Sequence, residues 1–286
     1  MPAYGRRLAR RVFDSRLERR AIPDAFPDYA KDPLALATDR RFKRWAHIAG
    51  FFGASLDLVA ALAGTDKYGM HHYTPVYEQL ARPLRRKPVA LLELGVGGYG
   101  RGLGGESLLM WAAYLRKGRV YGIDIEDKTA LSGGRIRVLQ CSQTDRTRLQ
   151  QLAREIGPFD FIIDDGSHVN SDQIESFRIL WPFVKHGGWY VVEDVQTSYW
   201  PSYGGGMPGT KSYAASCMSF FKALADSVNE PEFLERAGFA TEPAIGHVAF
   251  HHNMIVLHKD ESKRVSNVPL GNAQVRAALM KPSASR

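Results

Sequence analysis

Leu91-Leu92-Glu93-Leu94-Gly95-Val96-Gly97-Gly98 is the stretch on which the reading of the fold turns. An apolar run of strand length carries an acid and breaks into a cluster of glycines. Glycine lets a backbone turn tightly and come close to a ligand. Outward from this stretch the same unit repeats. Apolar runs predict strands at Val89–Leu94, Arg119–Ile125, Ile136–Gln140, Phe159–Ile163 and Gly188–Glu193. Amphipathic stretches predict helices at Ser107–Leu115, Asp145–Ile156 and Ser171–Val184. Near-continuous apolar strands between helices indicate a mostly parallel, doubly wound α/β sheet of Rossmann-like type. Near the C-terminus, His247–Phe250 and Met254–His258 flank His251-His252-Asn253, which predicts an antiparallel hairpin closing the sheet edge. Ligands in such sheets bind beyond the carboxyl ends of the strands. Chemistry is therefore expected in the loop after each strand.

Upstream the chain has another character. Residues 1–20 read as a basic helix with Leu8, Val12, Phe13 and Leu17 on one side, and 21–33 as a linker with prolines. Asp39–Ala63 reads as one long helix, stopped by Gly64. The loop from Thr65-Asp66-Lys67 to His71-His72-Tyr73-Thr74-Pro75 is polar and aromatic. It is expected either to fold over a ligand, with Tyr68 and Tyr73 stacking on it and His71 and His72 lining the pocket, or to brace the domain. A short helix follows from Val76 to about Leu84. This organisation divides the chain into a helical N-terminal extension, 1–63, and an α/β domain, 64–286. Within the latter, 199–215 reads as a loop, Ala214–Asn229 as a helix, and the tail after Lys259 as frayed.

The composition, 44% hydrophobic and 24% charged over 286 residues, is that of a globular protein with a sizeable core. Six of the eight net positive charges fall in residues 1–50. The basic excess therefore belongs to a terminal segment, and no nucleic-acid partner is expected. Two cysteines, Cys141 and Cys217, exclude a disulfide framework and a cysteine zinc cluster. The first 20 residues lack the apolar core of a signal peptide. The most apolar window, Ala46–Gly64, contains His47, Ser55 and Asp57, so no membrane span is expected. These features fit a cytoplasmic protein.

The strand ends carry the chemistry. Gly95 and Gly97 follow the first strand, and Asp124 ends the second, where an acid suits a ribose hydroxyl pair. These features give a nucleotide-like cofactor without its identity. Two details favour S-adenosylmethionine. Glu93 precedes the glycines, placed to meet the positively charged methionine end. The glycine loop also runs on through Gly100–Gly105 to Ser107, read as an N-cap, instead of opening directly into a pyrophosphate-binding helix. Gln143 and Asp145 follow the third strand, where adenine is commonly read, although Asp145 could equally cap the next helix. The fourth strand ends in Asp164-Asp165-Gly166-Ser167-His168 and the fifth in Glu193-Asp194. Several carboxylates together are costly unless a cation cancels their charge. Oxygen ligands suit Mg²⁺, or Mn²⁺. Successive strand residues point to opposite faces, which assigns Asp164 to the cofactor side and Asp165 to the metal. Glu193 and Asp194 can share that metal only if the strand has already turned. His168, three residues beyond Asp165, is placed to act as a general base on an acceptor hydroxyl.

Taken together, Thr65-Asp66-Lys67, His71-x-Tyr73-Thr74-Pro75, Glu93-x-Gly95-x-Gly97-Gly98-Tyr99, Asp164-Asp165-Gly166-Ser167-His168 and Glu193-Asp194 resemble the Mg²⁺-dependent macrolide-sugar O-methyltransferases. The resemblance runs from about residue 64 to 203. It implies a class I methyltransferase fold, Asp165, Glu193 and Asp194 as metal ligands, His168 as general base and a homo-oligomer. The chain departs from those enzymes in having only a short basic segment where they carry a large N-terminal auxiliary domain, so their assembly and acceptor do not carry over directly. It also resembles compact rhamnosyl and mycobacterial mannose-polysaccharide methyltransferases, and that resemblance implies a glycan or glycoside acceptor. Other readings compete. An NAD-dependent oxidoreductase fits the first strand and turn but leaves the acids unused. A nucleic-acid methyltransferase would use the basic N-terminus, yet no Asn-Pro-Pro-Tyr-like motif is present. A non-catalytic cofactor-binding protein would need no base, and cephalosporin-hydroxylase-like proteins share the motifs.

Overall fold

The strand of the glycine stretch is paired along both edges. Leu91 to Leu94 lie in parallel register with Val120 to Ile123 on one side and with Phe161 to Asp164 on the other. The computed structural model describes residues 40–98, 103–234, 244–262, 265–266, 268–269 and 271–281. The basic helix over 1–20, the linker and the start of the helix at Asp39 lie outside the described residues, as does part of the loop extension at 99–102. The chain divides into two compact units, Met1–Gly166 and Ser167–Arg286.

The first unit holds helices α1 (Arg40–Phe52), α2 (Leu56–Ala63) and α3 (Thr74–Ala81), then strand β1 (Ala90–Leu94), helix α4 (Glu106–Tyr114), strands β2 (Arg119–Asp124) and β3 (Ile136–Gln140), helix α5 (Arg146–Ile156) and strand β4 (Phe159–Asp164). All its strand pairs are parallel. The long helix expected over Asp39–Ala63 is two helices. Gly53 takes φ +93°, and the Ser55 hydroxyl accepts from the Leu58 amide to start a new helix. Gly64 ends it in the left-handed region, as expected. The Glu78 carboxylate ties the helices together, accepting from the Leu56 amide at 2.6 Å and the Tyr114 hydroxyl at 2.8 Å. Beneath them Trp111, Tyr77 and Phe161 form an aromatic core with ring centres 5.0–6.0 Å apart. Burying each such side chain contributes about 1.5–3 kcal/mol.

The second unit holds helix α6 (Asn170–Leu180), strand β5 (Val184–Glu193), short 3₁₀ turns over Val195–Tyr199 and Pro201–Tyr203, helices α7 (Lys211–Ala214) and α8 (Cys217–Leu224), strands β6 (Ile245–His251) and β7 (Met254–Lys259), and helix α9 (Ala273–Leu279). β7 pairs antiparallel with both β5 and β6. The hairpin turns at His252-Asn253, with Asn253 at φ +58°, as the sequence predicted. Phe177, Trp181, Tyr190 and Phe221 make its aromatic core. Two expectations fail here. The helix over Ala214–Asn229 is broken at Ser216, which caps α8, and beyond Leu224 it tightens to 3₁₀. The tail after Lys259 is not frayed throughout, because Asn272 caps α9 by accepting from the Gln274 and Val275 amides.

The seven strands run in the order β3-β2-β1-β4-β5-β7-β6, a mostly parallel sheet with antiparallel C-terminal strands. This is the doubly wound arrangement expected. Cys141 and Cys217 are both free and buried. Among the described residues no helix is long and apolar enough to cross a membrane.

Candidate active site

In the first unit the strand ends converge through their backbones. The Asp165 amide donates to the Leu94 carbonyl at 3.0 Å, and the Gly95 amide to the Ile123 carbonyl at 2.8 Å. Gly95 takes φ +80°, and a Cβ there would lie 2.1 Å from the Asp165 carbonyl oxygen. Only glycine permits this approach. Asp124 holds the glycine loop. Its Oδ2 accepts from the Val96 amide at 2.9 Å and from Lys128 Nζ at 3.0 Å, and Lys128 also donates to the Gly97 carbonyl.

The pleat sorts the acids. Glu93 lies beside Ile163 in the register, and Asp164 beside Leu94, so Glu93 and Asp164 face opposite sides of the sheet. Gln143 joins Asp164, donating to its Oδ1 at 3.3 Å. Asp165 returns to the Glu93 side, where Lys67 bridges the two. Lys67 Nζ is 2.6 Å from Asp165 Oδ2 and 3.2 Å from Glu93 Oε1. Glu93 is fully buried. Burial pushes its carboxyl up to about 7; Lys67 opposes the rise, Asp165 adds to it, and a hydrogen bond from Ser107 opposes it. Ser107 is thus not the N-cap it was expected to be. Gly105 stands at the cap position, the helix begins at Glu106, and the Ser107 side chain is turned to Glu93. Asp145 is exposed and caps α5, accepting from the Arg148 amide at 3.0 Å.

The polar loop after α2 braces the unit. Lys67 is 1%, Tyr73 2% and Thr74 0% exposed, so Tyr73 is a packed residue and offers no face to a ligand. His71 stacks on Tyr73, with its Nε2 3.9 Å from Asp66, while His72 is exposed.

In the second unit two site residues adopt backbone conformations that non-glycine residues rarely take. His168 has φ +57° and Asp194 φ +54°. Their side chains meet, His168 Nε2 lying 3.6 Å from Asp194 Oδ2. β5 ends at Glu193, and Asp194 begins the 3₁₀ turn over Val195–Tyr199, so the strand has turned between them. Glu193 is buried, and its carbonyl accepts from Gln173 at 2.9 Å.

Three residues missed by sequence reasoning shape these ends. Lys67 and Lys128 are buried cations set against Asp165 and Asp124. Asn170 is the hub of the turn after β5. Its Nδ2 donates to the Thr197 and Tyr203 carbonyls at 3.1 and 2.8 Å, and its Oδ1 accepts from the Ser198 hydroxyl and the Cys217 amide at 3.1 and 2.7 Å. Lys67 was visible in a quoted motif. Nothing in the sequence marks Asn170 or Lys128.

Strand order, glycine loop and acids at the strand ends form the fold of class I methyltransferases, and a family model described as a methyltransferase domain matches residues 98–195. The chain is similar to 8-demethyl-8-alpha-L-rhamnosyl tetracenomycin-C 2'-O-methyltransferase of Streptomyces olivaceus, 39% identical over 241 residues, which cover 83% of this chain and 60% of that one. It is also similar to demethylmacrocin O-methyltransferase of Streptomyces fradiae, at 40% identity over 68% of this chain and 50% of the relative. Among solved structures it is similar to the MycE methyltransferase of the mycinamycin biosynthetic pathway in complex with Mg and SAH, at 32% identity, with a TM-score of 0.71 over 79% of this chain and 60% of that one. The chain therefore spans between half and three fifths of the length of these relatives.

Proposed function

We propose that the chain is an S-adenosylmethionine-dependent O-methyltransferase that methylates a sugar hydroxyl of a glycan or glycoside with the help of a divalent cation. The observation that carries this reading is the His168–Asp194 pair, an imidazole and a carboxylate in contact on strained backbone at the end of a class I sheet. Such strain clusters at functional sites. The printed name of one relative, a rhamnosyl tetracenomycin-C 2'-O-methyltransferase, supports a sugar-bearing acceptor.

The donor set fits a hard cation. Asp165, His168 and Asp194 each offer one ligand atom, and none of the three is fully buried. We assign Asp165, Glu193 and Asp194 to Mg²⁺ or Mn²⁺, and Glu93, Gly95, Gly97, Ser107, Asp124, Gln143, Asp145 and Asp164 to the cofactor. A cation bound there supplies charge that lowers the pKa of an acceptor hydroxyl. His168 takes the hydroxyl proton onto its imidazole. The acceptor oxygen then attacks the methyl carbon in line, forming the C–O bond as the S–C bond breaks and leaving a neutral thioether. A second assignment of His168, as a cation ligand, is favoured by its contact with Asp194.

The test is methyl transfer from radiolabelled S-adenosylmethionine to a panel of rhamnosides and mannosides, with Mg²⁺ or with EDTA. Label appearing in a glycoside only with the cation supports the reading. Transfer that ignores EDTA removes the cation from it, and transfer to RNA instead would replace the acceptor class. The resemblance also implies a homo-oligomer, which light scattering on the purified chain tests; a monomer counts against it.

A further inference from the structure

The proposed chemistry gives no task to Lys67, yet its ammonium is among the most deeply buried charges described, at 1% exposure. Lysine is almost never buried so deeply unless paired. Here it meets two carboxylates, Asp165 Oδ2 at 2.6 Å and Glu93 Oε1 at 3.2 Å. The acids come from the neighbouring strand ends of β1 and β4. The lysine comes from elsewhere, on the loop between α2 and α3. That loop is braced where it matters. The Lys67 carbonyl accepts from the Tyr73 and Thr74 amides at 3.0 and 3.3 Å, and its own amide donates to the Thr65 hydroxyl at 3.4 Å. The ammonium is therefore delivered from a fixed backbone into the gap between two acids.

We propose that Lys67 is a positioning residue that orients the Asp165 carboxylate for a divalent cation and holds Glu93 at the same time, so that one ammonium sets both the cation end and the cofactor end of the site. The inference rests on the metal-dependent methyl transfer proposed above. Removing Lys67 has two effects of opposite sign. By Coulomb's law alone, deleting a positive charge 2.6 Å from Asp165 tightens cation binding. Deleting the group that orients a ligand carboxylate weakens it, typically about 10–100-fold. The sign of the change therefore separates positioning from simple charge.

The experiment is calorimetric titration of Mg²⁺, and separately of S-adenosylhomocysteine, into the wild type, Lys67→Met and Lys67→Arg, with thermal unfolding of each variant as the control for folding. We expect Lys67→Met to lose about 10–100-fold in Mg²⁺ affinity and to bind S-adenosylhomocysteine more weakly as well. Lys67→Arg, which keeps the charge but not the shape, is expected to fall between the two. If Lys67→Met does not fold, Lys67→Arg carries the test, with weaker Mg²⁺ binding by a cooperatively folded protein as the supporting result. Mg²⁺ affinity equal to or tighter than wild type in a folded variant overturns the inference and leaves the functional reading standing. A wild type that binds neither Mg²⁺ nor S-adenosylhomocysteine overturns both.

Discussion

At the scale of single residues, His168 and Glu93 make the sharpest demands. If His168 is the base, His168→Ala lowers turnover by about 10²–10⁴-fold while S-adenosylhomocysteine and Mg²⁺ still bind. Single-turnover kinetics beside calorimetry read both quantities. Full activity would remove the base, and loss of Mg²⁺ binding would make His168 a ligand. Glu93 sets a pH dependence. Its carboxyl is pushed up by burial to about 7 in the fold, against an ordinary 4.5. The folded state thus holds a proton that the unfolded chain has released, and stability falls as pH rises from about 4.5 to 7. Urea unfolding across that range is expected to show this slope in the wild type and a flatter one in Glu93→Gln. Identical slopes would show that Glu93 is ionised throughout. Lys67 shows the limit of reading residues in sequence. Its partner Asp165 lies 98 residues away, and no local pattern announces that a lysine will be buried.

At the scale of elements, the strands were legible because apolar runs of strand length are sharply bounded, as in Phe159–Asp164 between Gly157-Pro158 and the acidic loop. Helix continuity was not. The apolar pattern carries through Gly53, whose positive φ breaks what periodicity would join. Ser216 does the same inside the run before Cys217, and Ser107 looked like a cap although the cap position falls two residues earlier, at Gly105. The turn after β5 depends on a buried network that no short-range signal reveals. Asn170→Ala removes four hydrogen bonds at once and leaves the Thr197 and Tyr203 carbonyls without that donor. A loss of about 2–4 kcal/mol in denaturant unfolding is expected. A change below about 0.5 kcal/mol, typical of a surface site, would show that the turn is held otherwise.

At the scale of the whole molecule, the mostly parallel, doubly wound character of the sheet was readable because alternating strand and helix leave few topologies, and the edge hairpin was marked by its turn, whereas the strand order came only with the structure. The site was readable only as a set of strand ends; that Asp194 has turned off the strand is a fact of backbone geometry. If the chain binds both ligands, saturating Mg²⁺ and S-adenosylhomocysteine at about 100 times their dissociation constants should raise the melting temperature by about 5–10 °C, and EDTA should abolish the cation's share. An unchanged melting curve would count against binding by the folded state.

The left-handed backbones of His168 and Asp194 also bear on how this sequence would drift in the laboratory. Aspartate and histidine tolerate this region better than most side chains, yet each conformation still costs about 1 kcal/mol relative to glycine. Variants bred only to survive heating would therefore gain by exchanging these two positions for Gly or Asn. If the two positions serve the chemistry proposed above, such a lineage would grow hardier while going silent, and sequencing its survivors would mark both positions without a single assay of turnover.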